Sequence, residues 1–97
     1  MQHQEDTVIV TRHKALVEYL LQLGLIDTDT PLLQHAAIPD IRGKHVIGVL
    51  PLSLAVHAES VTEVPLSIPI ELRGTELSLT QLEEYASDPV RYSVKYY

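Results

Sequence analysis

Two cationic side chains, Arg12 and His13, stand directly after the β-branched run Val8 to Val10 and directly before a helical pattern. A short, continuously apolar run of this kind predicts a strand that is covered on both faces. The junction of a strand with a following helix carries free backbone N–H groups and the positive end of the helix dipole, which both favour an anion. The spacing therefore predicts a phosphate or carboxylate site here. In an alternative interpretation, Arg12 pairs with a structural carboxylate and His13 merely fills the turn.

Two later segments, His45 to Ser53 and Val64 to Gly74, repeat this arrangement of an apolar run, a proline and then polar residues. In parallel α/β sheets, ligands bind beyond the carboxyl ends of the strands. We therefore expect three strand ends to face one site. Gly74 permits a tight turn that aims Arg73 inward, although a surface arginine paired with a neighbouring glutamate is the competing interpretation.

Other polar residues give weaker signals. Ser53 follows Pro51 at a predicted helix start, so its hydroxyl either caps that helix or binds a ligand. Ser53 and His57 share a helical face, but the chain has no G-x-S-x-G elbow, which argues against a serine hydrolase. The five histidines lack metal-ligand spacing and there is no cysteine, so neither a metal site nor thiolate catalysis is predicted.

Composition limits the classes of function. The 97 residues predict one small domain over 1–97, and 45% hydrophobic content with no Phe or Trp predicts an aliphatic core. A net charge of -6 argues against non-specific binding to duplex DNA or to an anionic membrane. The polar residues from Gln2 to Asp6 do not resemble a signal peptide, so a cytoplasmic protein is expected, and residues 1–6 are expected to be flexible.

The elements that must position these residues follow from hydrophobic periodicity. The pattern predicts strands over Thr7 to Thr11, Leu32 to His35, His45 to Leu50 and Val64 to Ile70; helices over Lys14 to Leu25, Leu52 to Glu59 and from Ser78 or Thr80 to about Ala86; and a loop over Ile38 to Lys44. Alternating strands and helices predict an α/β fold with a mainly parallel sheet, in which the first strand is central. The alternating tail, residues 88–97, is expected to form an edge strand or a dimer contact.

Three segments carry a resemblance to a known family: T-R-H-K-A-L-V-E-Y, then H-V-I-G-V-L-P-L-S-L-A, then L-S-I-P-I-E-L-R-G-T-E-L-S. Together they resemble the small VVA-type CRISPR-associated family encoded beside type III CRISPR systems, whose members are ring-nuclease-type proteins. The resemblance covers roughly Val8 to Tyr85. The chain departs from the family pattern at Lys14 and Ala15, where Pro-Gly is usual, and at Val49, where Thr is frequent.

This resemblance implies a small Rossmann-like (CARF-like) three-layer fold, a homodimer and, without any cofactor, cleavage of cyclic tetra-adenylate, the second messenger of type III defence. The ribose 2′-hydroxyl would attack the adjacent phosphorus, while the protein aligns the groups and stabilises charge. Arg12 would hold the phosphate with help from Arg73, and His13 would move a proton. The residues expected to bind the ligand are Thr11, Lys14, Leu50, Pro51, Ser53, Ser67 and Gly74.

Two rival functions remain open at this point. A binding module would sequester or sense the cyclic nucleotide without cutting it, and the short chain without a complete catalytic constellation favours that interpretation. An accessory subunit would instead bind another protein through the tyrosine-rich tail at Tyr92, Tyr96 and Tyr97.

Overall fold

A computed structural model describes residues 6–97, so the flexibility expected of residues 1–6 concerns a segment that lies, apart from Asp6, outside the described residues. The strands are β1 (Thr7–Val10), β2 (Leu32–Leu33), β3 (His45–Gly48), β4 (Ser60–Glu63) and β5 (Val90–Tyr92). The α-helices are α1 (Lys14–Gln22), α2 (Ile38–Ile41), α3 (Leu52–Ala55) and α4 (Leu79–Tyr85), and a 3-10 helix covers Ile70–Leu72.

The strands form one sheet in the order β2-β1-β3-β4-β5. The first four are parallel to their neighbours, and β5 runs antiparallel to β4. Strand β1 is therefore an interior strand with a neighbour on each side, and its residues Val8, Ile9 and Val10 are buried, as the continuous apolar run predicts. The predicted α/β class with a mainly parallel sheet is confirmed.

Each face of the sheet carries its own hydrophobic core. On one face, α1 and α4 pack through Leu16, Leu20 and Leu82 against Ile9 and Ile47. On the other face, the buried residues of α2 and α3 pack against alternate side chains of β1, β3 and β4; this cluster comprises Val8, Val10, Ile41, Val46, Ala55 and Val61. Two helical layers thus enclose the sheet, which is the three-layer arrangement of small Rossmann-like folds.

The strand predicted over Val64 to Ile70 is wrong in its position. The structure places β4 at Ser60–Glu63, whereas the predicted span Val64 to Ile70 is a loop with one isolated bridge between Leu66 and Ala86, followed by the 3-10 helix. Pro65 and Pro69 lack the N–H groups that a sheet ladder requires. The sequence pattern assigned no element to Ser60–Glu63, because these residues are partly polar. Helix α3 ends at Ala55, before the predicted end at Glu59.

The predicted loop over Ile38 to Lys44 is also wrong, because it contains α2. Pro39 is tolerated there since the first turn of a helix does not need its N–H. The Asp40 carboxylate accepts a hydrogen bond from the Ala37 N–H at 2.8 Å, which stabilises the helix start. Similarly, α1 ends at Gln22, slightly before the predicted end, and Gly24 follows with a φ of 74°.

Of the two predictions about helix caps, the one for α4 is confirmed and the one for α3 is wrong. Ser78 caps α4 as one of the two predicted choices: its Oγ accepts from the Gln81 N–H at 3.2 Å, and the Gln81 Oε1 accepts from the Ser78 N–H at 3.0 Å. Helix α3 instead begins after Pro51 and has no side-chain cap. The idea that Ser53 caps this helix is therefore wrong, because Ser53 already lies within it.

Within the carboxyl-terminal tail, Val90–Tyr92 form the edge strand β5. Val61 pairs with Tyr92 and Glu63 pairs with Val90, so β5 continues the sheet beyond β4. Within residues 6–97, none of the helices has the length and apolar character needed to cross a membrane.

A buried polar cluster explains how β4 tolerates its polar residues. His45 is only 7% exposed, and its Nδ1 lies 2.6 Å from the Ser60 Oγ, while its Nε2 lies 3.0 Å from the Thr62 Oγ1. From the edge strand, the Arg91 Nε donates to the Ser60 Oγ at 3.0 Å. These bonds satisfy the buried hydroxyls, so three strands are tied together by side chains as well as by the backbone ladder.

We expect His45→Leu to lower the free energy of unfolding by roughly 2 kcal/mol, because it leaves a buried hydroxyl of Thr62 without its partner. Urea unfolding followed by circular dichroism measures the change. The matched control is His57→Leu, at a half-buried histidine outside this cluster. A loss no larger in His45→Leu than in the control would show that the cluster contributes nothing to stability.

Candidate functional site

A cleft of about 570 Å³ opens where the β1–α1 turn faces the segment between β4 and α4. Its walls are aliphatic and are built from Leu16, Leu66, Ile68, Leu72, Leu77 and Leu82. Its polar lining consists of Arg12, His13, Arg73, Gly74, Thr75 and Glu76. We call this site the arginine cleft. The turn after β1 and the segment around Arg73 therefore meet, as the sequence predicted, although that segment follows a loop and not a strand.

Backbone hydrogen bonds fix the turn that carries Arg12 and His13. The Thr11 N–H donates to the Leu33 carbonyl of the neighbouring strand at 3.0 Å, and the Thr11 Oγ1 accepts from the His13 N–H at 3.1 Å. His13 is the N-cap residue of α1, but its side chain makes no capping bond. The His13 imidazole is therefore exposed at the cleft and is not engaged in closing the helix.

Arg12 is exposed, and its contact in the structure is with another side chain of the same sheet edge. Its Nη2 lies 3.0 Å from the Nδ1 of His35 and 2.9 Å from the Nε2. A neutral imidazole has one acceptor nitrogen, so at most one of these two contacts is a hydrogen bond from Arg12, and the tautomer of His35 decides which nitrogen accepts it. Among residues 6–97, no carboxylate lies within 4.0 Å of Arg12. The alternative in which Arg12 pairs with a structural carboxylate is therefore not found in the described residues.

Arg73 is held by a tight turn on the opposite wall. Gly74 has a φ of 83°, a conformation that favours glycine, and the Thr75 hydroxyl and N–H both donate to the Leu72 carbonyl at 2.6 and 3.2 Å. Within the described part of the chain, Arg73 forms no ion pair, so the interpretation as a surface pair with a glutamate fails there. Two arginines thus line one cleft, and neither is in contact with a carboxylate among residues 6–97, although Glu76 also lines the cleft.

Among the other predicted ligand-binding residues, Thr11 and Lys14 lie beside the arginine cleft. Thr11 lines a smaller cavity of about 310 Å³ that shares Arg12, His13, Leu16 and Leu66 with the arginine cleft. Lys14 lies on a neighbouring shallow surface beside Glu76. Five predicted site residues are thus gathered at this place: Thr11, Arg12, His13, Arg73 and Gly74.

Four predicted residues lie apart from the arginine cleft. Leu50 lines a separate groove of about 460 Å³ next to the edge strand, together with Leu52 and Tyr92. Pro51 and Ser53 are exposed at the start of α3. Ser67 is exposed, and its N–H donates to the Tyr85 carbonyl at 3.0 Å, whereas its neighbours Leu66 and Ile68 line the cleft.

Sequence reasoning missed His35 and the aliphatic walls. His35 follows the short strand β2, which pairs in parallel with β1 at Ile9↔Leu32 and Val10↔Leu33. A polar residue at the end of a predicted strand was a usable signal, because all parallel strands end at the same edge of the sheet. Metal ligation has no candidate in the described range: residues 6–97 contain no group of three or more His, Asp or Glu placed to hold an ion.

Comparison with known families gives a match over nearly the whole chain. The model of the family described as "Putative CRISPR-associated protein (Cas_VVA1548)" matches residues 8–95. No curated protein and no solved structure matches the chain.

Proposed function

Because the chain belongs to the Cas_VVA1548 family of CRISPR-associated proteins, we propose that it cleaves cyclic oligoadenylate, the second messenger of type III CRISPR defence. Cyclic tetra-adenylate is the ring we assign to the arginine cleft. Cleavage of the messenger would switch the immune response off. The family match supports the CRISPR context, and the chemistry of the cleft supports the ligand.

The observation that carries the proposal is the pairing of aliphatic walls with two arginines that no carboxylate contacts in residues 6–97. Such a cleft suits a ligand with a flat ring system, whose faces can pack on aliphatic side chains, attached to an anion, as a nucleotide has. The guanidinium groups of Arg12 and Arg73 match phosphate geometry. The local charge is positive there, even though the net charge of the protein is -6.

The proposed reaction uses a nucleophile that the ligand already contains. A ribose 2′-oxygen bonds to the adjacent phosphorus and loses its proton, while the bond from phosphorus to the 5′-oxygen breaks. The products are a 2′,3′-cyclic phosphate and a 5′-hydroxyl, so one proton is removed and one is supplied. The protein aligns these groups, and Arg12 and Arg73 stabilise the charge that develops on the phosphoryl oxygens.

Symmetry favours two copies of the protein around one ring. Cyclic tetra-adenylate has two-fold symmetry, so a homodimer would present two equivalent arginine clefts to it. Each copy would then contribute its own Arg12, His13 and Arg73.

His13 is the residue proposed to move the proton. We expect His13→Ala to reduce the single-turnover rate by about 100-fold while the dissociation constant stays within about twofold, because the imidazole acts on the transition state. His57→Ala, at a histidine that does not line the cleft, is the matched control. A loss of affinity with an unchanged rate would make His13 a ligand contact instead.

The proposal is tested by incubating labelled cyclic tetra-adenylate with the purified protein in EDTA and separating the products. We expect linear fragments that end in a 2′,3′-cyclic phosphate, and we expect a ring with 2′-O-methyl riboses to bind and remain intact. An unmodified ring that co-purifies uncut would contradict cleavage and support a sequestering or sensing module. A ring that does not bind at all would overturn the ligand assignment.

A further inference from the structure

We propose that His35 is a positioning residue for Arg12: its imidazole orients the guanidinium at the arginine cleft without neutralising it. This inference rests on the proposed function, since it assigns Arg12 to the ligand. His35 itself is not among the residues that line the cleft, so it acts through Arg12.

The sheet brings the two side chains together from distant parts of the sequence. Arg12 and His35 are 23 residues apart, yet each follows one of two paired parallel strands, β1 and β2. The Thr11 N–H also donates to the Leu33 carbonyl, which continues the pairing to the residue before Arg12. The paired strands therefore bring the two residues to the same edge of the sheet, where the Arg12 Nη2 lies 2.9 to 3.0 Å from the ring nitrogens of His35.

The chemistry of the partner matters as much as its position. A carboxylate would orient Arg12 equally well, but it would offset the positive charge that an anionic ligand needs. A neutral imidazole accepts one N–H and leaves the charge of the guanidinium intact. Arginine has five N–H groups, so the remaining donors stay available to a phosphate.

Orientation before binding also lowers the entropic cost of binding. An exposed arginine samples many rotamers, and a ligand that fixes it must overcome that loss of freedom. The bond to His35 fixes the guanidinium in advance. A misplaced guanidinium is costly for catalysis, because stabilisation of a transition state depends on donor geometry.

The test is a double-mutant cycle with wild type, His35→Ala, Arg12→Ala and the double variant, measured on cyclic tetra-adenylate. We expect His35→Ala to lower kcat/KM by roughly tenfold to a hundredfold, with the melting temperature unchanged. In the Arg12→Ala background, the same change should have no further effect, because the residue it acts through is gone. His35→Gln, whose amide oxygen can accept from Arg12, should restore most of the rate, whereas the control His57→Ala should match wild type.

Each other outcome has a definite meaning. If wild type cleaves and His35→Ala is unaffected, the positioning role is wrong while the proposed function stands. If the loss persists in the Arg12→Ala background, His35 acts on the ligand directly and the positioning role is again wrong. If wild type binds the ring without cleaving it, the dissociation constants of the same four proteins are compared in place of kcat/KM. If wild type neither binds nor cleaves, the proposed function fails and this inference falls with it.

Discussion

Arg12→Ala is expected to lower kcat/KM for cyclic tetra-adenylate by about 100-fold to 1,000-fold, which is the usual effect of removing one donor that stabilises a transition state. The side chain is exposed and its bond to His35 lies at the surface, so the fold does not depend on it. Arg12→Lys should recover only part of the loss, because an ammonium group cannot bind a phosphate through two parallel N–H bonds. Single-turnover cleavage and thermal unfolding measure the two quantities.

The matched control is Arg42→Ala, which removes an exposed arginine just after α2, before the amino end of β3. It changes the net charge by the same amount as Arg12→Ala, but Arg42 does not line the arginine cleft. Equal losses in both variants would mean that general electrostatic attraction, and not a specific contact, explains the effect. An unchanged rate in Arg12→Ala would show that Arg12 takes no part in the reaction.

Gly48→Ala is expected to destabilise the protein by roughly 2 to 5 kcal/mol, since it combines backbone strain with overpacking. Gly48 ends β3 with a φ of 141°, and a Cβ built there would lie 2.1 Å from the Val10 carbonyl oxygen. Val10 is the residue paired with Gly48, and it precedes Thr11 and Arg12. The substitution must therefore separate β1 from β3 at the edge that carries the site. Urea unfolding measures the loss.

Gly24→Ala is the control for this prediction. Gly24 also has a positive φ, of 74°, but a Cβ there meets nothing within 4 Å. Its substitution should cost only the conformational strain of roughly 1 to 2 kcal/mol. Equal losses at the two glycines would show that the close approach of β1 and β3 contributes nothing beyond backbone strain.

The central part of the fold was predictable because its signals are local. The β-branched run Val8 to Val10 is typical of a strand buried on both faces, and the spacing within Lys14 to Gln22 is that of an amphipathic helix. The S-x-x-Q cap at Ser78 is a local motif as well. The family resemblance was likewise carried by ordered motifs, and the family match confirms it.

Strand β4 was not predictable in the same way, because tertiary contacts decide it. Ser60 and Thr62 are poor candidates for a buried strand until His45, from a separate strand, supplies hydrogen bonds to both hydroxyls. The apolar run from Val64 to Ile70 was the more attractive candidate by hydropathy. Its two prolines exclude it from the ladder, and it contributes Leu66 and Ile68 to the wall of the arginine cleft.

The site was predictable only as far as its cationic residues. Arg12, His13 and Arg73 have a chemical character that shows in the sequence, and the structure places all three at one cleft. The contact between Arg12 and His35 was invisible, because it depends on the register of β1 with β2. The residues expected to bind the ligand also included Ser53 and Ser67, and the structure sets both apart from the cleft.

The most direct test of the central claim is cleavage of cyclic tetra-adenylate in EDTA by wild type and by the double variant Arg12→Ala/Arg73→Ala, run side by side. We expect wild type to convert the ring to linear fragments that end in a 2′,3′-cyclic phosphate, and the double variant to leave it intact while keeping its melting temperature. A ring that stays whole with wild type, or that the double variant cuts at the wild-type rate, would contradict the assignment of ring cleavage to the arginine cleft.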